Sequence, residues 1–273
     1  MAQNSKIEWT NHTVNLWHGC TKVHAGCDHC YAETLSKRWG RVIWGNDSPR
    51  MEIKSAWDDL DKYQKLAAAS GEMHRVFVGS MKDIFEKDMP MINSKGEPSQ
   101  FGTDYLRTLL FEAISDYRYP NLMFLFLTKR PGNINKMIPP EWKENPPANV
   151  MFGTSPVDEE TSTKLVFQLL QVKGKRFLSI EPQLDEVDFY KVSGNWTDNN
   201  HPWRNGPILQ GIDWVICGGE SGHGRRPFNT DWARLLRDQC RDVSVPFFMK
   251  QIDKVLPIPE DLLIRQFPDF SKK

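Results

Sequence analysis

Three of the five cysteines, Cys20, Cys27 and Cys30, fall within one short stretch from Trp17 to Tyr31. Thiolates gathered this closely are the ligands that soft metals and iron–sulfur clusters prefer. Gly19 and Gly26 each precede a cysteine, where a missing side chain lets the backbone wrap a bulky inorganic centre. The chemistry then turns on the fourth ligand. Structural zinc closes its shell with four protein ligands, whereas an iron held by fewer can bind something else. His18, His24 and His29 lie close enough in sequence to complete a closed Cys3His zinc shell, so both readings stay open. Cys217, in an apolar run, and Cys240, near the end of an expected helix, read as small buried hydrophobes.

The elements that must position this loop follow from periodicity. Short apolar, β-branched or aromatic runs alternate with longer amphipathic ones, the pattern of βα units and a parallel sheet. Strands are expected near 13–17, 75–80, 121–128, 149–154, 175–181, 212–218 and 245–251, with helices at about 28–39, 55–69, 102–117, 158–172 and 230–242. Asp158 and Thr230 stand where helix N-caps are wanted. The fold class is therefore α/β, a partial or complete (β/α) barrel of six to seven parallel strands in one domain spanning residues 1–273. Excursions are expected at about 86–101 and 185–211, the second carrying Trp196 and Trp203 as a lid, a substrate wall or a plain surface loop. From about 255 the chain reads as a cap, packing through Leu262, Leu263 and Phe267 and fraying after Ser271.

In such a barrel functional groups collect at the C-terminal strand ends. The polar residues fall there: Ser80 and Asp83 after the second strand, Lys129 and Arg130 after the third, Ser155, Glu181 and Glu220 after the next three, and Lys250 at the last. For Ser155 and Asp83 an N-cap role is an equally ordinary reading.

Composition sets outer bounds. With Lys plus Arg and Asp plus Glu at 35 each, net charge gives no argument for nucleic acid, membrane or acidic partners, so local patches must make one. No run is apolar enough to span a bilayer and the first residues are polar, which reads as a cytoplasmic protein without membrane association. An odd cysteine count clustered in one loop fits a reducing compartment.

A strand, a three-cysteine loop and a helix resemble the radical S-adenosylmethionine (SAM) superfamily, in which three cysteines bind a [4Fe-4S] cluster and SAM occupies the fourth iron. The common Cys-x3-Cys-x2-Cys spacing appears here as Cys-x6-Cys-x2-Cys. Trp-His-Gly-Cys, Gly-Cys-Asp-His-Cys-Tyr-Ala-Glu, Gly-Ser-Met-Lys-Asp-Ile-Phe, Leu-Thr-Lys-Arg-Pro, Ser-Ile-Glu-Pro, Cys-Gly-Gly-Glu-Ser-Gly and Phe-Met-Lys-Gln together resemble a phage and prophage three-Cys-motif family of radical-SAM-like proteins. The likeness runs from about Trp17 to Gln251.

The resemblance implies an enzyme that reductively cleaves SAM, with electrons from an external donor, and abstracts hydrogen from a substrate. It implies Ser80 and Asp83 near the methionine amine, Lys129 or Arg130 on the carboxylate, Ser155 and Glu181 near the ribose, and His29 against adenine. Glu220 would face the substrate or accept from Arg225 or Arg226. Lys129, Arg130, Arg225, Arg226 and Lys250 could make the mouth positive and suit a nucleotide or nucleic-acid substrate, with Trp17, Trp44, Trp196 and Trp203 available for stacking. Core tryptophans and an ion-pair network explain the same residues without a substrate. The alternatives are a zinc- or cluster-stabilised nucleic-acid-binding protein without radical chemistry, and a barrel that has lost catalysis.

Overall fold

The computed structural model describes residues 5–191, 208–222 and 224–270. In chain order its strands are β1 (His12–Val14), β2 (Trp17–His18), β3 (Arg50–Glu52), β4 (His74–Val78), β5 (Pro90–Ile92), β6 (Pro98–Gly102), β7 (Leu122–Thr128), β8 (Val150–Thr154), β9 (Lys175–Ile180), β10 (Trp214–Gly218) and β11 (Phe247–Gln251). Its helices are α1 (Tyr31–Arg38), α2 (Ala56–Ser70), α3 (Thr103–Ser115), α4 (Ile134–Met137), α5 (Glu159–Leu170) and α6 (Thr230–Asp242). Each of the seven expected strands and five expected helices has its counterpart.

Seven strands form one sheet in the order β1-β4-β7-β8-β9-β10-β11, and every neighbouring pair is parallel. This sheet is a half-barrel: among the described residues β1 and β11 are its edges and do not pair with each other. Because the order follows the chain, right-handed crossovers carry the helices to one side. Leu60 and Ala67 of α2, Leu110 and Phe111 of α3, Val166 and Leu169 of α5, and Leu236 of α6 pack there against Val76, Val78, Phe124, Phe126 and Val215.

Strand residues alternate between faces, so the intervening positions form a second core on the concave side: Trp9, Phe77, Met123, Leu125, Met151, Phe177, Trp214, Ile216 and Phe248. Gly153 belongs to this face. A Cβ there would stand 2.4 Å from the Phe177 ring, so the glycine makes the space that the ring fills. The C-terminal segment closes the floor, with Phe267 centred 5.5 Å from Trp214 and 5.2 Å from Phe248. Leu262 is buried in the outer core while Leu263 is exposed; residues 271–273 lie outside the described residues.

The expected excursion at 86–101 is part of a second, four-stranded sheet, β2-β3-β5-β6. Its prolines and glycine do not abolish strands. Pro90 and Pro98 begin β5 and β6, and Gly96, at φ +86°, turns the hairpin between them. The Asn93 carboxamide accepts from the Lys95 and Glu97 amides across that turn. The excursion at 185–211, with Trp196 and Trp203, lies largely outside the described residues. Asp158 caps α5 through the Thr161 amide at 2.8 Å, whereas Asn229, one residue before Thr230, caps α6. Among the described residues no helix is long and apolar enough to cross a membrane.

Candidate functional site

The strand alternation that builds the floor also builds the site. Two residues beyond an inward position of the sheet, the same face carries Lys129 after Leu127, Ser155 after Gly153, Glu181 after Ser179, and Lys250 after Phe248. These side chains, with Gly79 and Ser80, line a cavity of about 410 Å3 whose opposite wall is the cysteine loop, including Cys20, Cys27 and Cys30.

Local geometry explains why this loop can lie so close. Gly19 sits at φ +113°, and a Cβ there would meet the Ile43 carbonyl oxygen at 2.2 Å, so only glycine fits. Its amide donates to Met81 O, tying the loop to the end of β4. A Cβ on Gly26 would stand 2.6 Å from Val157, which holds the second bend against the loop after β8. The Tyr31 hydroxyl donates to Ser80 O at 2.5 Å, bridging the start of α1 to the opposite wall.

Beneath the loop lies a buried ionic network. Arg50, wholly buried, donates to both Glu86 oxygens at 2.8 and 2.9 Å and to Thr21 Oγ1 at 2.9 Å. Arg130 donates to Asp83 Oδ2 at 2.8 Å and to Thr21 O at 2.6 Å, with its Nη1 3.9 Å from Cys20 Sγ. Two guanidinium groups thus grip the residue that follows Cys20. Burial, reinforced by the Asp83 and Glu86 carboxylates, pushes the Cys20 thiol up to about 12.

The residues singled out from the sequence divide in two. Cys20, Cys27, Cys30, Ser80, Asp83, Lys129, Arg130, Ser155, Glu181 and Lys250 all line the one cavity. Several are already engaged. Asp83 accepts from Thr128 Oγ1, the Phe85 and Lys129 amides and Arg130, so it orients Arg130 and has little capacity left for an amine. Ser80 Oγ accepts from Asn15 at 2.8 Å, and Glu181 receives Lys250 Nζ at 2.6 Å and Ser179 Oγ at 3.1 Å. Ser155 Oγ is buried and has no partner.

His29, Glu220, Arg225 and Arg226 are absent from the lining. The turn between Cys27 and Cys30 bulges outward, leaving Asp28 and His29 exposed beside Gly222 and Gly224. The adenine position expected of His29 is therefore not on the lining, whose aromatic residues are Trp9, Tyr31, Trp44 and Phe77. Glu220 accepts from the Arg226 side chain at 2.5 Å and its amide at 2.7 Å; burial raises the carboxyl, but these bonds hold it below the usual carboxylate range. Arg226 also reaches Ala25 O at 3.0 Å, pinning the cysteine loop from outside, and Arg225 pairs with Asp253 at 2.7 Å. Glu220 thus takes one of the two roles expected of it, accepting from Arg226, and Arg225 and Arg226 are both engaged in ion pairs. Trp17 is buried in the outer core and Trp44 lines the cavity.

Sequence reasoning missed Tyr31, Thr21 and Lys82. Tyr31 immediately follows the last cysteine, and Lys82 stands inside the Ser80–Asp83 motif, so both had a signal. Lys82 lines the cavity, its Nζ is buried without a hydrogen-bond partner 4.2 Å from the Trp17 ring centre, and burial pulls it well below the usual lysine range.

Thiols are the donor type that an iron–sulfur cluster takes. All three thiols are free and share one cavity, and the Arg130 guanidinium offers Cys20 positive charge. Among the described residues no three His, Cys, Asp or Glu side chains converge on one metal ion. A cuboidal cluster does not need them to, since it presents a separate iron to each thiolate. Of the histidines that could close a zinc shell, His18 has both ring nitrogens and His24 its Nε2 without a hydrogen-bond partner. His24 Nδ1 accepts from the Gly26 amide at 3.1 Å, His18 stacks on Trp39, and none of the three lines the cavity.

No curated protein and no solved structure matches the chain. The family described as "Protein of unknown function (DUF5131)" matches residues 4–259, and the chain belongs to that family.

Proposed function

We propose that the cavity holds a [4Fe-4S] cluster on Cys20, Cys27 and Cys30 with SAM beside it, and that the protein is an enzyme of the radical SAM type. The observation that carries this reading is the shared cavity. Three free thiols face Ser155, Glu181 and Lys250 across it, at the C-terminal ends of a parallel half-barrel and with no histidine in the lining. When bound, such a cluster would pass one electron from an external donor to SAM and so start hydrogen abstraction.

The chain's own residues do the rest. Gly19 and Gly26 let the loop approach, and Arg50 and Arg130 fix Thr21 and hence Cys20. Tyr31 offers an aromatic face to adenine, where the sequence had pointed to His29. Ser155, with its unpaired hydroxyl, and the Glu181–Lys250 pair supply hydrogen bonds for ribose and methionine groups. The apolar floor of Phe77 and Leu127 excludes water from below. A reducing, cytoplasmic setting belongs to the same proposal.

The test is anaerobic reconstitution with iron and sulfide, followed by electron paramagnetic resonance of the reduced protein with and without SAM. The expected result is a cluster signal that changes with SAM and is lost in Cys27→Ala. Stoichiometric zinc with no cluster signal would overturn the reading.

A further inference from the structure

The cavity is far more basic than the chain. Seven basic side chains line it against two carboxylates, Asp83 and Glu181, in a protein of zero net charge. The carboxylates are matched by Arg130 and Lys250, and Lys22 by Glu33. Lys6, Lys129 and Lys254 have no ion-pair partner among the described residues, and Lys82, also without one, adds nothing to the surplus because burial pulls it well below the usual lysine range. A cluster with its three thiolates would contribute about one net negative charge, and SAM brings a sulfonium of its own. The surplus therefore calls for an anionic substrate.

A second cavity, of about 540 Å3, adjoins the first. It runs between the cysteine loop, α4 and α5 and shares Val23, Lys129 and Arg130 with its neighbour. Lys136 on α4 and Lys164 on α5 extend the line of Lys129, opposed by Glu160 alone. Neither has an ion-pair partner among the described residues. Asn133 and Gln168 add amide groups, and apolar lining is confined to Val23 and Leu165 with the alkyl parts of the rest. His24, on the same wall, has its Nε2 without a partner. Cations at intervals, amides between them and little apolar floor suit a repeating anion, as in a phosphodiester backbone, better than a compact organic ligand.

We propose that this groove tracks the backbone of single-stranded nucleic acid through Lys129, Lys136 and Lys164, and that one nucleotide of the strand enters the cavity beside the cysteines. The second half rests on the cluster reading; the first does not.

The full-length protein is titrated against a fluorescein-labelled oligothymidylate of about twelve nucleotides by fluorescence anisotropy, from about 50 to 200 mM salt. Affinity is expected to fall steeply with salt. The double variant Lys136→Gln/Lys164→Gln should bind at least about tenfold more weakly, its log–log salt slope shallower by about 1.4, for two lost single-strand contacts. Lys62→Gln/Lys65→Gln on α2, which lines neither cavity, is the charge-matched control and should bind like the parent. No binding at the lowest salt, an equal effect of control and groove variants, or equally tight binding of polyglutamate would each overturn the proposal. Iron content and binding are read on the same samples. A protein that takes up no cluster but binds the strand in a lysine-dependent way sinks the cluster reading alone, and one that loads a cluster but shows no lysine dependence sinks the groove alone.

Discussion

Gly153 and Ser155 lie two residues apart on and just after β8 and face the same concave side, yet their surroundings differ. At Gly153 the missing side chain is filled by the Phe177 ring, while at Ser155 a buried hydroxyl has no partner. The contrast extends across the sheet. Toward the N-terminal strand ends the concave face is aromatic and closely packed; toward the C-terminal ends it carries lysines, serines and a glutamate around open space. The floor is specified by volume and the mouth by charge, so the two should fail differently. A floor substitution should cost stability whatever the site holds, whereas a mouth substitution should change what the site holds at little cost to stability.

The largest effect is expected in neither the floor nor the mouth but beneath the cysteine loop, at a buried ion pair that does not line the cavity. Arg50→Met leaves the Glu86 carboxylate buried with only Arg130, at 3.6 Å, as a remaining cation. A loss of about 3–5 kcal/mol in urea unfolding is expected, most of it recovered in Arg50→Met/Glu86→Gln. If the double variant were no more stable than the single, the stranded charge would not be the cause. On the floor, Gly153→Ala drives a methyl into the Phe177 ring, and about 1–3 kcal/mol should be lost in the same assay. An Ala variant as stable as the parent would mean that the floor yields as freely as the mouth.

How much of this was legible in the sequence follows from the same contrast. Period-two alternation and strand-end polarity are local signals, and they located all seven parallel strands and seven of the lining residues, the clustering of cysteines adding three more. The two sheets could not be separated that way. β2 and β3 are two and three residues long, too short for a periodic signal, and Pro90 and Pro98 mimic a loop. His29, Glu220, Arg225 and Arg226 lie off the lining, and both arginines have long-range partners. Arg226 reaches Ala25 and Arg225 reaches Asp253, pairings that nothing in local spacing encodes.

A smaller effect distinguishes the closed end by pH. His12, at the N-terminal end of β1, is buried, stacks on Tyr63 at 4.0 Å and lies 3.0 Å from His74 Nδ1. Burial, with the neighbouring His74, lowers it from 6.5 to about 4. The unfolded chain therefore binds this proton first. The stability linked to His12 is fully present above about pH 6.5 and is lost as pH falls from there through about 4. Between pH 7 and 5 the loss linked to His12 should be about 1–2 kcal/mol, visible as a lower melting temperature, and His12→Phe should reduce the dependence by that share, His18 and His24, also lowered to about 4, keeping theirs. An unchanged slope in that variant would assign the proton to another group.

The smallest change in stability, and the most informative in binding, is expected at Ser155. Its hydroxyl is buried on the cavity wall and bonds to nothing in the protein. Removing it relieves a desolvated group, so Ser155→Ala should unfold within about 0.5 kcal/mol of the parent. In cluster-loaded protein the same variant should bind SAM about fivefold more weakly by equilibrium dialysis, the worth of one hydrogen bond. Those two results together are what a ligand-facing hydroxyl requires. Lost stability with unchanged SAM affinity would instead make Ser155 part of the packing, and the line between floor and mouth would then lie beyond the end of β8.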